Sequence, residues 1–181
     1  MEPAILMHVC CAPCAAPSVE LVLRDRDRWS NIVFFYSNSN IYPREEYDRR
    51  LQYVRQLGEI HGITVMADDY DHDAWRDAIK GFENEPERGA RCRLCFKFNL
   101  CRAARAAAEL DNCAFTTTLT VSPYKDNATI FAAAEGLTGF VPYDFKRDHG
   151  FQRGIELSHQ YHFYRQKYCG CEFSLRDRQK K

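Results

Sequence analysis

Several familiar signatures are missing from this 181-residue sequence. Neither charge is in excess, since 25 Lys and Arg balance 25 Asp and Glu. That excludes a uniformly basic nucleic-acid coat and an acidic tail protein. No run of about 18 apolar residues, the length a membrane span needs, is present. The stretch Met1–His8 has no basic region ahead of its apolar residues, which disfavours a secretory signal. There is no internal repeat and no low-complexity segment. Gly-x-Gly-x-x-Gly and Walker A motifs are absent, so nothing suggests a nucleotide cofactor. A Ser-Gly-Gly-x-Asp-Ser pyrophosphatase loop is also absent, which disfavours ATP-driven thiolation. The expectation is a cytoplasmic protein with no membrane partner.

What is present is enough for a core, with 45% hydrophobic and 28% charged residues. The length suits one domain, residues 1–181, with 146–181 a basic, aromatic-rich extension of it. Apolar runs and turn signals predict strands at Ala4–Val9, Asn31–Tyr36, Ile63–Met66, Ala114–Leu119 and Phe140–Phe145. Helices are predicted over Ala15–Arg26, from Pro43 to a stop at Gly62, and from an Asp71 or Asp73 cap through Lys80. Two more are predicted over Arg91–Leu110 and from Ser122-Pro123 to Glu135. Strands alternating with helices indicate an α/β fold, an open and mostly parallel Rossmann-like sheet with helices on both faces. Ligands of such sheets bind beyond the carboxyl ends of the strands. Cys10–Cys14, Ser37–Asn40 and Thr117–Ser122 should therefore share one edge.

The nine cysteines carry the chemistry. An odd number without a secretion signal argues against a disulfide scaffold. Seven fall in three clusters: Cys10-Cys11-x-x-Cys14, Cys92-x-x-Cys95 and Cys169-Gly170-Cys171. Such clustering suits metal or redox chemistry, in which soft thiolates converge. Cys92-x-x-Cys95 alone is weak; joined to Cys10-Cys11 it offers four thiolates, which satisfy either tetrahedral zinc or an iron–sulfur cubane. Cys169 and Cys171 suit a strained, reducible disulfide or a pair of ligands. Isolated Cys101 and Cys113 read as core fillers. His8 beside the first cluster fits either a packed histidine or a proton donor. Residues 146–181 hold nine basic residues against four acidic ones, a net +5 opposite −5 for residues 1–145. This basic, aromatic end could track a phosphate backbone and stack bases, or be a solvated tail.

Several segments together resemble the QueH family of epoxyqueuosine reductases. They are His8-Val9-Cys10-Cys11-Ala12-Pro13-Cys14, Tyr36-Ser37-Asn38-Ser39-Asn40-Ile41-Tyr42-Pro43 and Arg91-Cys92-x-x-Cys95. Thr116-Thr117-Thr118-Leu119-Thr120-Val121-Ser122-Pro123-Tyr124-Lys125, Asp144-Phe145-Lys146 and Gln166-Lys167-Tyr168-Cys169-Gly170-Cys171 complete the set. The family's order is kept over nearly the whole chain. Ser39 stands where such families often have proline, a difference of loop stiffness rather than chemistry.

The resemblance implies a fold related to the ATP-pyrophosphatase (HUP) class. It also implies a cobalamin-independent oxidoreductase that reduces the epoxide of epoxyqueuosine, at the tRNA wobble position, to the alkene of queuosine. Its implied cofactors are a 4Fe-4S cluster and an additional mononuclear iron. Cys10, Cys11, Cys92 and Cys95 are the expected cluster ligands, with Cys14 a candidate for the second iron. Cys169 and Cys171 are candidates for that iron or for a redox-active disulfide. Tyr124, Lys125 and Asp144 are the expected proton donors or substrate-orienting groups. Lys146, Arg147, Arg176, Arg178, Lys180 and Lys181 are the expected tRNA contacts, and an external electron donor is required. Two rivals are a zinc-stabilised, non-catalytic RNA-binding module and a metal-free thiol–disulfide oxidoreductase using Cys92 and Cys95.

Overall fold

A computed structural model describes residues 3–25 and 27–180. Its strands are β1 (Ala4–His8), β2 (Asn31–Tyr36), β3 (Thr64–Ala67) and β4 (Cys113–Thr117). They form one all-parallel sheet in the order β3-β2-β1-β4. The helices are α1 (Ala12–Arg24), α2 (Arg44–His61), α3 (His72–Ala78), α4 (Ala90–Ala108), α5 (Asn127–Ala134), α6 (Gly150–Gln160) and α7 (Glu172–Gln179).

The continuous apolar run of β1 reflects burial on both faces. Successive side chains of a strand point to opposite faces. Ile5 and Met7 join a core with Val19 of α1, Val54 and Leu57 of α2 and Leu157 of α6. Leu6 joins a second core with Leu100 of α4, Phe115 of β4 and Ile130 of α5. The expected α/β sheet, wound on both faces, is the one found. After β1 the chain moves to β2 and β3 on one side, then returns to place β4 on the other. The reversal leaves a topological switch point between the carboxyl ends of β1 and β4, where such sheets bind ligands.

Local chemistry corrects some predicted boundaries. Helix α1 begins at Ala12 rather than Ala15, because extended Cys11 (φ −172°) is its cap and Pro13 occupies its first turn. The helix is last seen at Arg24, and Arg26 lies outside the described residues. β4 stops at Thr117, whose hydroxyl accepts the Leu119 N–H at 3.2 Å and starts a short 3-10 turn over Thr118–Val121. Ser122-Pro123 opens a turn, not a helix. α5 begins only at Asn127, where the Asp126 carboxylate accepts the Thr129 N–H at 2.8 Å. Phe140–Phe145 is not a strand: Phe140 makes a single bridge to Phe115, and Pro142 has no N–H to continue a ladder. Asp71, rather than Asp73, caps α3.

Residues 146–180 are integrated into the body. α6 lies against α1, and buried Phe173 of α7 packs with Trp75 and Ile79. Pro17 sits inside α1 and lacks the N–H that would bond the Pro13 carbonyl one turn earlier. Gly154 of α6 comes against that carbonyl, and a Cβ there would lie 2.5 Å from the Pro13 oxygen. A helical Gly→Ala change ordinarily gains about 1 kcal/mol. Here the obstacle is backbone, which no rotamer change can relieve. Gly154→Ala is expected to lose about 1–3 kcal/mol by overpacking, read as a lower urea midpoint at unchanged m-value.

Candidate metal and active site

β1 delivers Cys10 and Cys11 directly to the switch point. The Cys10 N–H donates to Thr118 Oγ1 at 3.3 Å, joining the strand ends of β1 and β4. Asn38 Nδ2 donates to the Val9 carbonyl at 2.8 Å, bringing in the loop after β2. Fully buried His8 spans Thr117 Oγ1 (2.9 Å) and the Ser37 carbonyl (3.0 Å). Burial lowers its pKa, so it serves as a neutral packed histidine. Ser39 Oγ accepts the Asp71 N–H at 3.1 Å, a bond no proline could make at that position. The three loops expected on one edge therefore meet there.

The sulfurs of Cys10, Cys11 and Cys14 lie within 4.8 Å of one another. Among the described residues, no other three His, Cys, Asp or Glu side chains converge this way. Hydrogen bonds from the Cys11 and Cys14 thiols hold the Cys10 pKa well below the ordinary thiol value, and Lys125 adds to the effect. In return, Cys10 pushes Cys11 up to about 12 and raises Cys14. Two further donors reach the trio: Gln166 Nε2 donates to Cys11 Sγ at 3.0 Å, and the Thr118 hydroxyl to Cys10 Sγ at 3.7 Å.

Cys92 and Cys95 occupy the first turns of α4 on the opposite wall, and Cys171 caps α7. Burial raises the pKa of Cys92, Cys95 and Cys171, and the neighbouring sulfurs reinforce it. With Cys169 they line a recess of about 50 Å³. The Cys169–Cys171 turn is tied down by Arg50, whose Nη1 donates to the Cys169 carbonyl at 3.0 Å while its Nε pairs with Glu46 at 2.8 Å. Gly170 (φ 142°) passes so close that a Cβ would lie 3.2 Å from both Arg50 and Ile41.

The two sulfur sets face each other across a cleft of about 820 Å³, whose lining includes Cys10, Cys14, Cys95 and Cys169. Half-buried Lys125 stands between them. Burial works against its charge, but Cys169, Cys10, Cys14 and Cys11 outweigh that effect and hold its pKa above the ordinary lysine value. The donors suit a thiophilic centre. Trp75 Nε1 is directed at Cys95, and among the described residues Arg91 Nε and Nη2 are buried donors without protein partners, both residues lining the four-cysteine recess. Unpaired buried donors are costly, and thiolate sulfurs would satisfy them.

Of the other expected residues, Tyr124 stands 62% exposed on the cleft lining. Asp144 is absent from that lining; its carboxylate accepts from Asn127 Nδ2 at 2.6 Å and from the Lys146 N–H at 3.1 Å. Lys146 is turned inward, donating to Asn127 Oδ1 at 2.7 Å. Arg147 is exposed and 3.9 Å from Asp144, and Arg176 pairs with Asp177. Arg178 lines the cleft, Lys180 is exposed, and Lys181 lies outside the described residues. All nine cysteines are free thiols, with Cys101 and Cys113 half-buried. Sequence reasoning missed Arg50, Arg91 and Trp75. Glu46 and Arg50 carried a signal, as an i,i+4 acid–base pair beside the apolar stripe of Tyr47, Leu51 and Val54.

Fold and site together define a parallel α/β protein with a three-thiol group able to hold a metal where its sheet reverses direction. The family model described as epoxyqueuosine reductase QueH matches residues 5–177, and the chain belongs to that family. It is 37% identical to an epoxyqueuosine reductase QueH of Streptococcus pyogenes serotype M1, over 97% of this chain and 72% of the relative. The corresponding protein of Histophilus somni is 39% identical over 97% of this chain and 74% of its own length. That of Thermotoga maritima is 32% identical over 98% and 93%.

The pKa pattern predicts an order of reactivity in metal-free protein. A lowered pKa gives Cys10 thiolate at pH values where an ordinary thiol is protonated, while Cys11 and Cys14 stay neutral. Alkylation followed by peptide mass mapping between pH 6 and pH 8 should label Cys10 first, and exchange of that order would refute the assignment.

Proposed function

We propose that the chain is an epoxyqueuosine reductase acting on tRNA in the cytoplasm, with an iron–sulfur centre and an adjacent iron and without cobalamin. The observation that carries this reading is two facing sets of cysteines across one cleft with a charged lysine between them, in a chain of the QueH family. The cleft volume falls within the usual range for small-molecule sites.

Converting an epoxide to an alkene removes its oxygen as water and consumes two electrons and two protons. When bound, the iron centres supply single-electron transfer and Lewis acidity toward that oxygen. The cluster ligands expected from the resemblance, Cys10, Cys11, Cys92 and Cys95, lie on both walls. The sulfurs already gathered are Cys10, Cys11 and Cys14 on one side and Cys92, Cys95, Cys169 and Cys171 around the recess on the other. Cys10, Cys11 and Cys14 can hold a metal as they stand, while Cys169 and Cys171 keep the alternative roles of second-iron ligands or a dithiol.

Lys125, on the lining of both cavities, is the proton donor in this reading. The sulfurs hold its proton tightly, but an oxygen leaving an opened epoxide is an alkoxide basic enough to take it. Tyr124 at the mouth orients the substrate. Asp144 contributes by fixing the Lys125–Asn127 turn through Asn127 and Lys146. An external donor restores the electrons.

Anaerobically purified protein should contain about four or five irons and about four acid-labile sulfides, and it should convert epoxyqueuosine tRNA to queuosine tRNA. One zinc without sulfide, after failed reconstitution, would favour the RNA-binding module instead. Lys125→Met is expected to keep the iron and the visible spectrum while turnover falls by about 100-fold or more. Undiminished turnover would remove Lys125 as proton donor.

A further inference from the structure

Five large hydrophobic side chains are exposed among the described residues: Tyr42, Ile60, Phe82, Tyr124 and Phe151. Two of them meet at the mouth of the cleft. Tyr124 and Phe151 pack edge to face, with ring centroids 6.3 Å apart and planes at 84°. The Arg88 guanidinium lies 5.9 Å from the centre of the Tyr124 ring. All three residues line the cleft, and Tyr124 adjoins Lys125 in sequence. Among the described residues the Tyr124 hydroxyl has no hydrogen-bond partner, although its backbone N–H is fixed by Ser122 Oγ at 3.3 Å. The ring is thus held by Phe151 and Arg88 while most of the residue's surface is open to solvent.

Charge around this pair favours an anion. The cleft lining carries Arg88, Lys125, Arg165, Lys167 and Arg178, besides buried Arg50, against Glu87 and Asp177. An exposed aromatic pair beside an arginine, within a cationic margin, is the combination used to stack bases while tracking phosphates.

We propose that Tyr124, buttressed by Phe151 and Arg88, is a stacking ledge for a nucleobase flanking the modified wobble base, so that the neighbour stays outside while the wobble base enters the cleft. This rests on the tRNA reading above and gives Tyr124 a role for its ring rather than its hydroxyl. Extracting one base unstacks its neighbours, and an aromatic surface at the mouth replaces the lost stacking. The four-sulfur recess and the buried Glu46–Arg50 pair belong to the site already described and suggest no other ligand.

The test compares metal-loaded wild type, Tyr124→Phe, Tyr124→Ala and Phe151→Ala. Affinity is measured for an anticodon stem-loop carrying epoxyqueuosine, and for the same stem-loop made abasic on either side of it. KM and kcat are measured on full-length tRNA. Tyr124→Ala should weaken binding and raise KM by on the order of 10-fold to 100-fold, with kcat little changed. Phe151→Ala should follow in the same direction, and Tyr124→Phe should bind as wild type. One of the two abasic stem-loops should abolish the difference between wild type and Tyr124→Ala.

Equal affinity of Tyr124→Ala and wild type would overturn the ledge. Loss in Tyr124→Phe as large as in Tyr124→Ala would do the same, and would return the role to the hydroxyl. A difference that survives both abasic substitutions would likewise overturn it. If wild type binds the stem-loop with the predicted Tyr124 dependence yet reduces no epoxide, the reductase reading fails and the ledge stands.

Discussion

The buried Arg50 side chain is the constraint on which the two-walled site depends. A guanidinium this deep needs every donor answered. Glu46 supplies the counter-charge one helical turn away, and the carbonyls of Tyr168 and Cys169 accept from the two terminal nitrogens. The pair therefore reaches from α2 to the segment that carries the third cysteine cluster. Tyr164 donates its hydroxyl to the same Glu46 carboxylate at 3.0 Å, and the Tyr42 N–H donates to the Gly170 carbonyl at 2.9 Å. Residues near the end of the sequence are thereby locked against the loop after β2. Without that anchor, Cys169 and Cys171 would be a short cysteine pair on a surface turn. With it, they join Cys92 and Cys95 around one recess.

The sheet anchors the other wall differently. Cys10 and Cys11 follow a central strand, and the backbone just beyond it is pinned at the Val9 carbonyl and the Cys10 N–H by Asn38 and Thr118, side chains that follow β2 and β4. The sulfurs therefore project from a scaffold buried on both faces, while their partners project from helix starts. Sites built on such elements hold their geometry better than sites on free loops. Lys125 lines the cleft between them, on a turn whose carbonyl accepts from Lys146 Nζ, which also donates to Asn127.

The sheet was legible because its strands announce themselves: β1 and β2 are apolar runs ended by turn residues, and periodicity needs no tertiary information. Boundaries failed where one side chain redirected the backbone, as Thr117 does after β4 and Pro142 does beyond Phe140. The loops that gather at the switch point were legible from topology alone. The grouping of the sulfurs was not, because spacing along the chain cannot say that Cys14 turns back on Cys10 and Cys11 across the first turn of α1. Nor could it show Trp75 and Arg91 beside the recess, or that two Arg91 nitrogens find no partner there.

Those unmade bonds bear on how the site stores charge. The sequence is neutral overall, yet Arg50, Arg91 and Lys125 are all placed near sulfur, and of the three only Arg50 has a buried carboxylate partner. Arg91 is 1% exposed, packs over Phe173 at 4.7 Å and leaves two nitrogens unpartnered. An uncompensated cation in such surroundings is unfavourable unless anionic groups arrive beside it. Seven neutral thiols would leave it unanswered. Several thiolates, which coordination to a metal enforces by displacing their protons, would answer it and Lys125 together. The cations thus favour the deprotonated, ligand-ready form of the cysteines, and the Trp75, Ile79 and Phe173 cluster buries Cys171 among them.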